Sequence, residues 1–110
     1  MASNFKTATQ ANVGTSLSSI YTCPSSTTST IIGMYLCNQS GGSIEATVEF
    51  YDASTSTHVG IVSNTPIPSG TSIAVIGGDA KVVLEAADAI KVQSNVVNSI
   101  DVVLSYLEQT

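Results

Sequence analysis

Between Ile44 and Tyr51 the chain alternates without a break. Ile44, Ala46, Val48 and Phe50 fall on one side, and Glu45, Thr47, Glu49 and Tyr51 on the other. A period of two belongs to a strand with one dry and one wet face, because successive side chains of extended backbone point to opposite sides. Other apolar stretches recur along the chain: Leu17–Cys23, with Leu17, Ser19, Tyr21 and Cys23 on one face, then Thr30–Asn38, His58–Val62, Ile73–Ile76, Lys81–Glu85 and Ile90–Ser94. Ser99–Glu108 is the last, with Ile100, Val102, Leu104 and Tyr106 facing one way. Clusters of Ser, Thr, Asn, Gly and Pro separate them. Turn signals every 8–12 residues or so predict an all-β fold, a single-domain antiparallel β-sandwich of jelly-roll-like form with roughly seven or eight strands. The predicted core is Ile32, Leu36, Val48, Phe50, Ile73, Leu84, Ile90, Val92, Ile100, Val102 and Leu104.

Three stretches are less regular. Thr30–Asn38 (TIIGMYLCN) is apolar on both faces, which predicts a central strand covered on both sides, with Gly33 marking a bulge or a close approach. Pro66 and Pro68 predict an extended edge or crossing segment. Asp79–Val92 reads two ways. It is either a helix with Val82, Val83, Ala86, Ala87 and Ile90 on one face, or two strands joined by a tight turn at Glu85–Asp88. The double valine and the strand-dense surroundings favour strands. Residues 1–14 are polar, with Phe5 as their one large apolar side chain beside the cation Lys6. They are predicted to form an arm, disordered or ordered against a neighbour, ahead of a sandwich domain over residues 15–110. Phe5 and Lys6 are its candidate assembly contacts.

Charge is scarce. Lys6, Lys81 and Lys91 are the only cations, there is no Arg or Trp, and the formal net charge is −5. Charged residues make up 10% of the chain, and 17 Ser and 13 Thr stand in their place. Nucleic-acid binding rests on Lys and Arg neutralising phosphates, so no nucleic-acid partner is expected, and no anionic membrane surface either. No run approaches the roughly 20 apolar residues of a membrane span. MASNFKTATQ carries no apolar stretch of the kind a secretory signal uses, so synthesis in a cytoplasm is expected.

The scarcity also limits chemistry. His58 is the only histidine and sits in a hydroxyl-rich stretch where many residues could be drawn as its partner. Glu45 and Glu49 share a strand face with Cα atoms about 13 Å apart at about 3.3 Å per residue. That is wider than the carboxyl pairs of glycosidases. Asp52, Asp79 and Asp88 fall singly at turns, too sparse for a calcium loop. Gly77-Gly78-Asp79 lacks the lysine of a phosphate loop, and Asn38-Gln39-Ser40 reads as a turn rather than a glycosylation acceptor. Cys23 and Cys37 read as free thiols acting as small hydrophobes, with a disulfide as the alternative. No catalytic residue, metal or cofactor is expected.

The second half carries TVEFYD, TPIPSGTSI, KVVLEAADAIKVQS and IDVVLSYLE. Over roughly residues 30–108 this pattern resembles a group of small structural proteins of tailed phages, especially phages of marine bacteria and cyanobacteria. The matching residues are Tyr35–Asn38, Ile67–Ile73, Val83–Val92 and Leu104–Glu108. The chain departs at Ala86-Ala87, where that group commonly has a glycine. The resemblance implies a non-enzymatic virion protein, with capsid decoration as the first expectation and a head–tail connector, neck or tail role as the nearest alternative. Its partners would be copies of itself and other virion proteins such as the major capsid or neck proteins. A carbohydrate- or cell-surface-binding sandwich is the reading from a different class.

Overall fold

The computed structural model describes residues 3–77 and 79–110. Met1, Ala2 and the Gly78 of the predicted Gly77-Gly78-Asp79 turn lie outside them. The strands are β1 (Ser3–Val13), β2 (Ser18–Thr22), β3 (Thr28–Asn38), β4 (Ile44–Asp52), β5 (Thr57–Ile67), β6 (Ser72–Ile76), β7 (Val82–Leu84), β8 (Ala89–Ser94) and β9 (Ile100–Gln109). They form two antiparallel sheets. One has the order β1-β9-β3-β6, with β7 also pairing β3, and the other has the order β2-β8-β4-β5. The chain crosses between sheets at most connections, and β4–β5 is the pair of sequence neighbours joined as a hairpin. This is the order of a double-sheet jelly roll.

The core lies between the sheets. Leu36, Val48, Leu84, Ile90, Val92, Ile100, Val102 and Leu104 are buried as predicted, but Ile32, Phe50 and Ile73 are only partly covered. Ile31 and Met34 take the inward places on β3, because the register against β9 shifts between Ile31 and Gly33. The extra residue turns Ile32 out of the core. A similar shift against β8, between Ser19 and Tyr21, resets the phase of β2. Tyr21 and Cys23 enter the core, whereas Leu17 and Ser19 stay exposed.

Asp79–Val92 is two strands joined by a tight turn at Glu85–Asp88, as favoured, but the two strands do not pair with each other. β7 belongs to the five-stranded sheet and β8 to the four-stranded one, so Glu85–Asp88 is a corner between sheets. The buried Asp88 locks it. Its Oδ1 accepts from Ala53 N at 2.9 Å and its Oδ2 from Glu85 N at 3.0 Å. Ala87, in the Ala86-Ala87 pair where the chain departs from the resembling pattern, sits at φ 72°. A left-handed alanine costs about 1–2 kcal/mol, and its N–H is used on the Cys23 carbonyl at 2.9 Å.

The predicted arm is a strand of its own chain's sheet. Ser3 to Gln10 pair residue for residue with Gln109 to Val102 on β9. The expectation rested on the lack of apolar side chains, but a ladder needs only backbone groups, and β9 would otherwise be an open edge. The side chains of this strand nevertheless remain exposed, apart from the half-buried Ala8 and the buried Val13.

Candidate assembly surface

The inner residues of β9 alternate with Asp101, Val103, Ser105, Leu107 and Gln109, which face outward. The antiparallel registers carry this outer set across the five-stranded sheet in rows. Phe5 pairs with Leu107, Leu107 with Thr30, and Thr30 with Val83. Next comes Thr7, Ser105 and Gly33, then Thr9, Val103, Tyr35 and Ala74. Cys37 lies beyond them, between Asp101 and Ser72. Phe5 is 77% exposed, Tyr35 57%, Val83 54% and Val103 44%. In these rows Asp101 is the one charged group, and its Oδ1 accepts from Asn12 N at 3.0 Å. Such a face is cheap to desolvate, since charge removal is the costly part of burying a surface. Depletion of charge with enrichment of aromatic residues is the composition of interface centres.

This corrects the expectation for Thr30–Asn38. β3 is central, but its chain covers one face only. The two-sided apolar pattern was the available signal for the open face. Tyr35, Val83, Val103 and Leu107 were not singled out because each looked like an isolated surface or core residue before the register placed them in rows.

The outer face of the four-stranded sheet is different. Glu49 stands opposite Lys91 on β8, and His58 opposite Tyr51 across β4–β5. His58 Nδ1 lies 3.2 Å from Glu49 Oε1, and Lys91 Nζ lies 4.8 Å from the Tyr51 ring centre. Glu45 is exposed further along β4.

The two candidate assembly residues part company. Phe5 lies in the open apolar row. Lys6 turns to the inner side, where its Nζ donates to Glu108 Oε1 at 2.7 Å. Tyr21 Oη donates to Glu108 Oε2 at 2.6 Å and lies 2.6 Å from Ser29 Oγ. The hydrogen bond and charge of Glu108 hold the Lys6 ammonium above its ordinary value. Lys6 first, then Tyr21, hold the Glu108 carboxyl below its own. Burial, then the Glu108 contact, pushes the Tyr21 hydroxyl up. Lys6 therefore clasps β1 to the domain.

The remaining candidates have structural places. Asn38 is fully buried, and its Nδ2 donates to the carbonyls of Gly42 and Ile67 at 2.8 Å each. Cys23 is buried and Cys37 half-buried, and both thiols are free. Asp52 accepts from Ser54 Oγ at 2.7 Å, which lowers its carboxyl. Among the described residues no group of three His, Cys, Asp or Glu could hold a metal ion. A surface hollow of about 600 Å³ is lined by Ser, Thr, Ala, Glu and Asp between Ser26–Thr28, Ala53–Ser54 and Glu85–Asp88, with no aromatic ring.

No family model and no curated protein matches the chain. Solved structures do. A protein of the Bacillus endospore appendages, described as forming a novel family of disulfide-linked pili, superposes with TM-score 0.59 at 14% identity. The match covers 99% of this chain and 87% of that one. A structure of infectious bursal disease virus, Gt strain, matches more loosely, at TM-score 0.43 and 9% identity, over 96% of this chain and 32% of that one. The first likeness shows a shared fold.

Proposed function

We propose that the chain is a non-enzymatic structural subunit of a tailed-phage virion, docking on the particle as a capsid decoration protein through the outer face of its five-stranded sheet. The observation that carries this reading is the open row system of Phe5, Leu107, Val83, Val103 and Tyr35, which this chain leaves uncovered and almost without charge. A monomer gains nothing from such a face, whereas a subunit of an ordered assembly buries it. The resemblance over residues 30–108 supplies the virion, and a pilus protein with the same fold supports use of this sandwich as a building block. Partners would be the major capsid protein and further copies of the chain.

The test is occupancy. Purified particles carrying Tyr35→Glu and Val103→Glu together should lose most of the protein by quantitative mass spectrometry, while the isolated variant melts near the wild-type temperature. Undiminished occupancy would sink the docking face. Labelling of the wild-type protein at the neck instead of the head would replace decoration with a connector role.

A further inference from the structure

We infer that two copies of this chain pair through β1, edge to edge and antiparallel, joining their five-stranded sheets into one continuous sheet across a two-fold axis.

The argument begins with the edges. A strand at a sheet edge shows unpaired N–H and C=O groups, and natural proteins defend it with short length, bulges, prolines or charges. β2, β6 and β7 are short, at 5, 5 and 3 residues. β5 has 11 residues, but its register against β4 shifts twice, Asn64 sits at φ 50°, and Pro66 removes a donor. β1 is neither short, bulged nor interrupted by proline over Ser3–Gln10, where its ladder to β9 is unbroken. Its one charge, Lys6, is paired with Glu108 and opposes only a register that sets two Lys6 side chains face to face. Its side chains are exposed on both faces over most of its length, so nothing of the described chain stands in the way of another strand.

The second copy is the occupant that this edge fits. Antiparallel pairing about a two-fold axis perpendicular to the sheet puts like faces together, so residue numbers of facing pairs sum to an even value. The regular segment is centred between Lys6 and Thr7. A pairing centred on Lys6 sets two ammonium groups directly opposite, which is destabilising. Centring on Thr7 removes that clash. Thr7 then faces Thr7 of the second copy, Phe5 faces Thr9, Lys6 faces Ala8, and Asn4 faces Gln10. No like-charged pair results, although the chain carries a net charge of −5. The exposed Phe5 gains a neighbour, and the two apolar outer faces become one wider surface. Backbone hydrogen bonds provide the attraction and the Lys6 position sets the register, as in strand addition generally.

This goes beyond docking on a particle, and it is tested on purified protein with no particle present, so either reading can fail alone. The full chain is used with Cys37→Ser to remove the half-buried thiol. Light scattering should show a species of twice 11.3 kDa. Under mild oxidation Thr7→Cys should cross-link to itself. Phe5→Cys and Thr9→Cys should each cross-link poorly alone but efficiently when mixed, because directly opposite Cβ atoms are about 4.5–5.5 Å apart. A monomeric mass would overturn the inference. A dimer in which Thr7→Cys cross-links no faster than Ser3→Cys would equally overturn it, and would assign the contact to another surface.

Discussion

The two outer faces of the sandwich draw on strands of similar kind, yet they present opposite surfaces. On the four-stranded sheet, Glu45, Glu49, His58, Tyr51 and Lys91 form a wet face, where Glu49 has Lys91 as its cross-strand neighbour and contacts His58. On the five-stranded sheet, Phe5, Leu107, Val83, Val103 and Tyr35 lie in rows with Asp101 as the only charge among them. In a chain with 8 acids and 3 lysines, this distribution is what leaves one face fit to be buried. Solvent satisfies the first face. The second is the face that the proposed docking would bury.

Two neighbours on β9 give the largest expected difference between the buried and open faces. Leu104 is fully buried between the sheets, and Val103 points out from the same strand at 44% exposure. Leu104→Ala should cost about 2–5 kcal/mol in denaturant unfolding, as transfer and cavity terms add. Val103→Ala should stay within about 0.5 kcal/mol. A comparable loss at Val103 in the monomer would mean that the open face supports the fold itself, and it would cease to be a free docking surface.

A second, smaller effect probes how the open sheet keeps its edge strand. Tyr21→Phe removes the donor to Glu108 and the partner of Ser29, at a cost of about 1–3 kcal/mol near neutral pH. The pH dependence follows from the shifts. The Glu108 carboxyl is held below its ordinary 4.5 in the folded chain, so its contribution is present above that value and is lost as pH falls through the folded value. Lys6 is held above its ordinary 10.5, so its contribution is present below that pH and is lost only as pH rises through the folded value. The cost of Tyr21→Phe should therefore shrink under acid, as pH falls below 4.5 and through the lower folded value. An unchanged cost there would show that the Ser29 contact, not the carboxylate, accounts for the loss.

The contrast between the faces also explains how far the sequence could be read. The Ile44–Tyr51 alternation gave β4 in full because its two faces differ in polarity, and the inner set on β9 was legible from its regular Ile100, Val102, Leu104 and Tyr106. β3 was ambiguous for the opposite reason. Apolar residues on both faces predict cover on both sides, and the pattern does not show which face the same chain leaves open. Bulges were the other loss. One extra residue at Ile31–Gly33 exchanges which neighbours face inward, and only Gly33 hinted at it. β1 was unreadable as a strand from side chains, since its backbone does the pairing. The Glu85–Asp88 turn was placed correctly, but its joining of two sheets depends on which strands β7 and β8 pair with, and local sequence does not carry that. Of the candidate surface, Phe5 was visible as an unexplained exposed aromatic, whereas the rows required register.

The smallest expected effect lies on the wet face, at His58. Its side chain is 41% exposed and that of Glu49 27%, so the contact between them is open to solvent. An exposed contact of this kind contributes little, because water competes for both groups and ordering two side chains costs entropy. The Tyr51 ring, with its centre 4.8 Å from that of His58, loses one flanking contact but keeps Lys91 against it. Glu49 keeps Lys91 as its cross-strand neighbour. His58→Ala should therefore change stability by no more than about 0.5 kcal/mol, and particle occupancy should not change. Occupancy is the measurement that discriminates. If His58→Ala released the protein from particles as Tyr35→Glu with Val103→Glu is expected to do, the charged face would be a docking surface too, and the division of labour between the two sheets would fail.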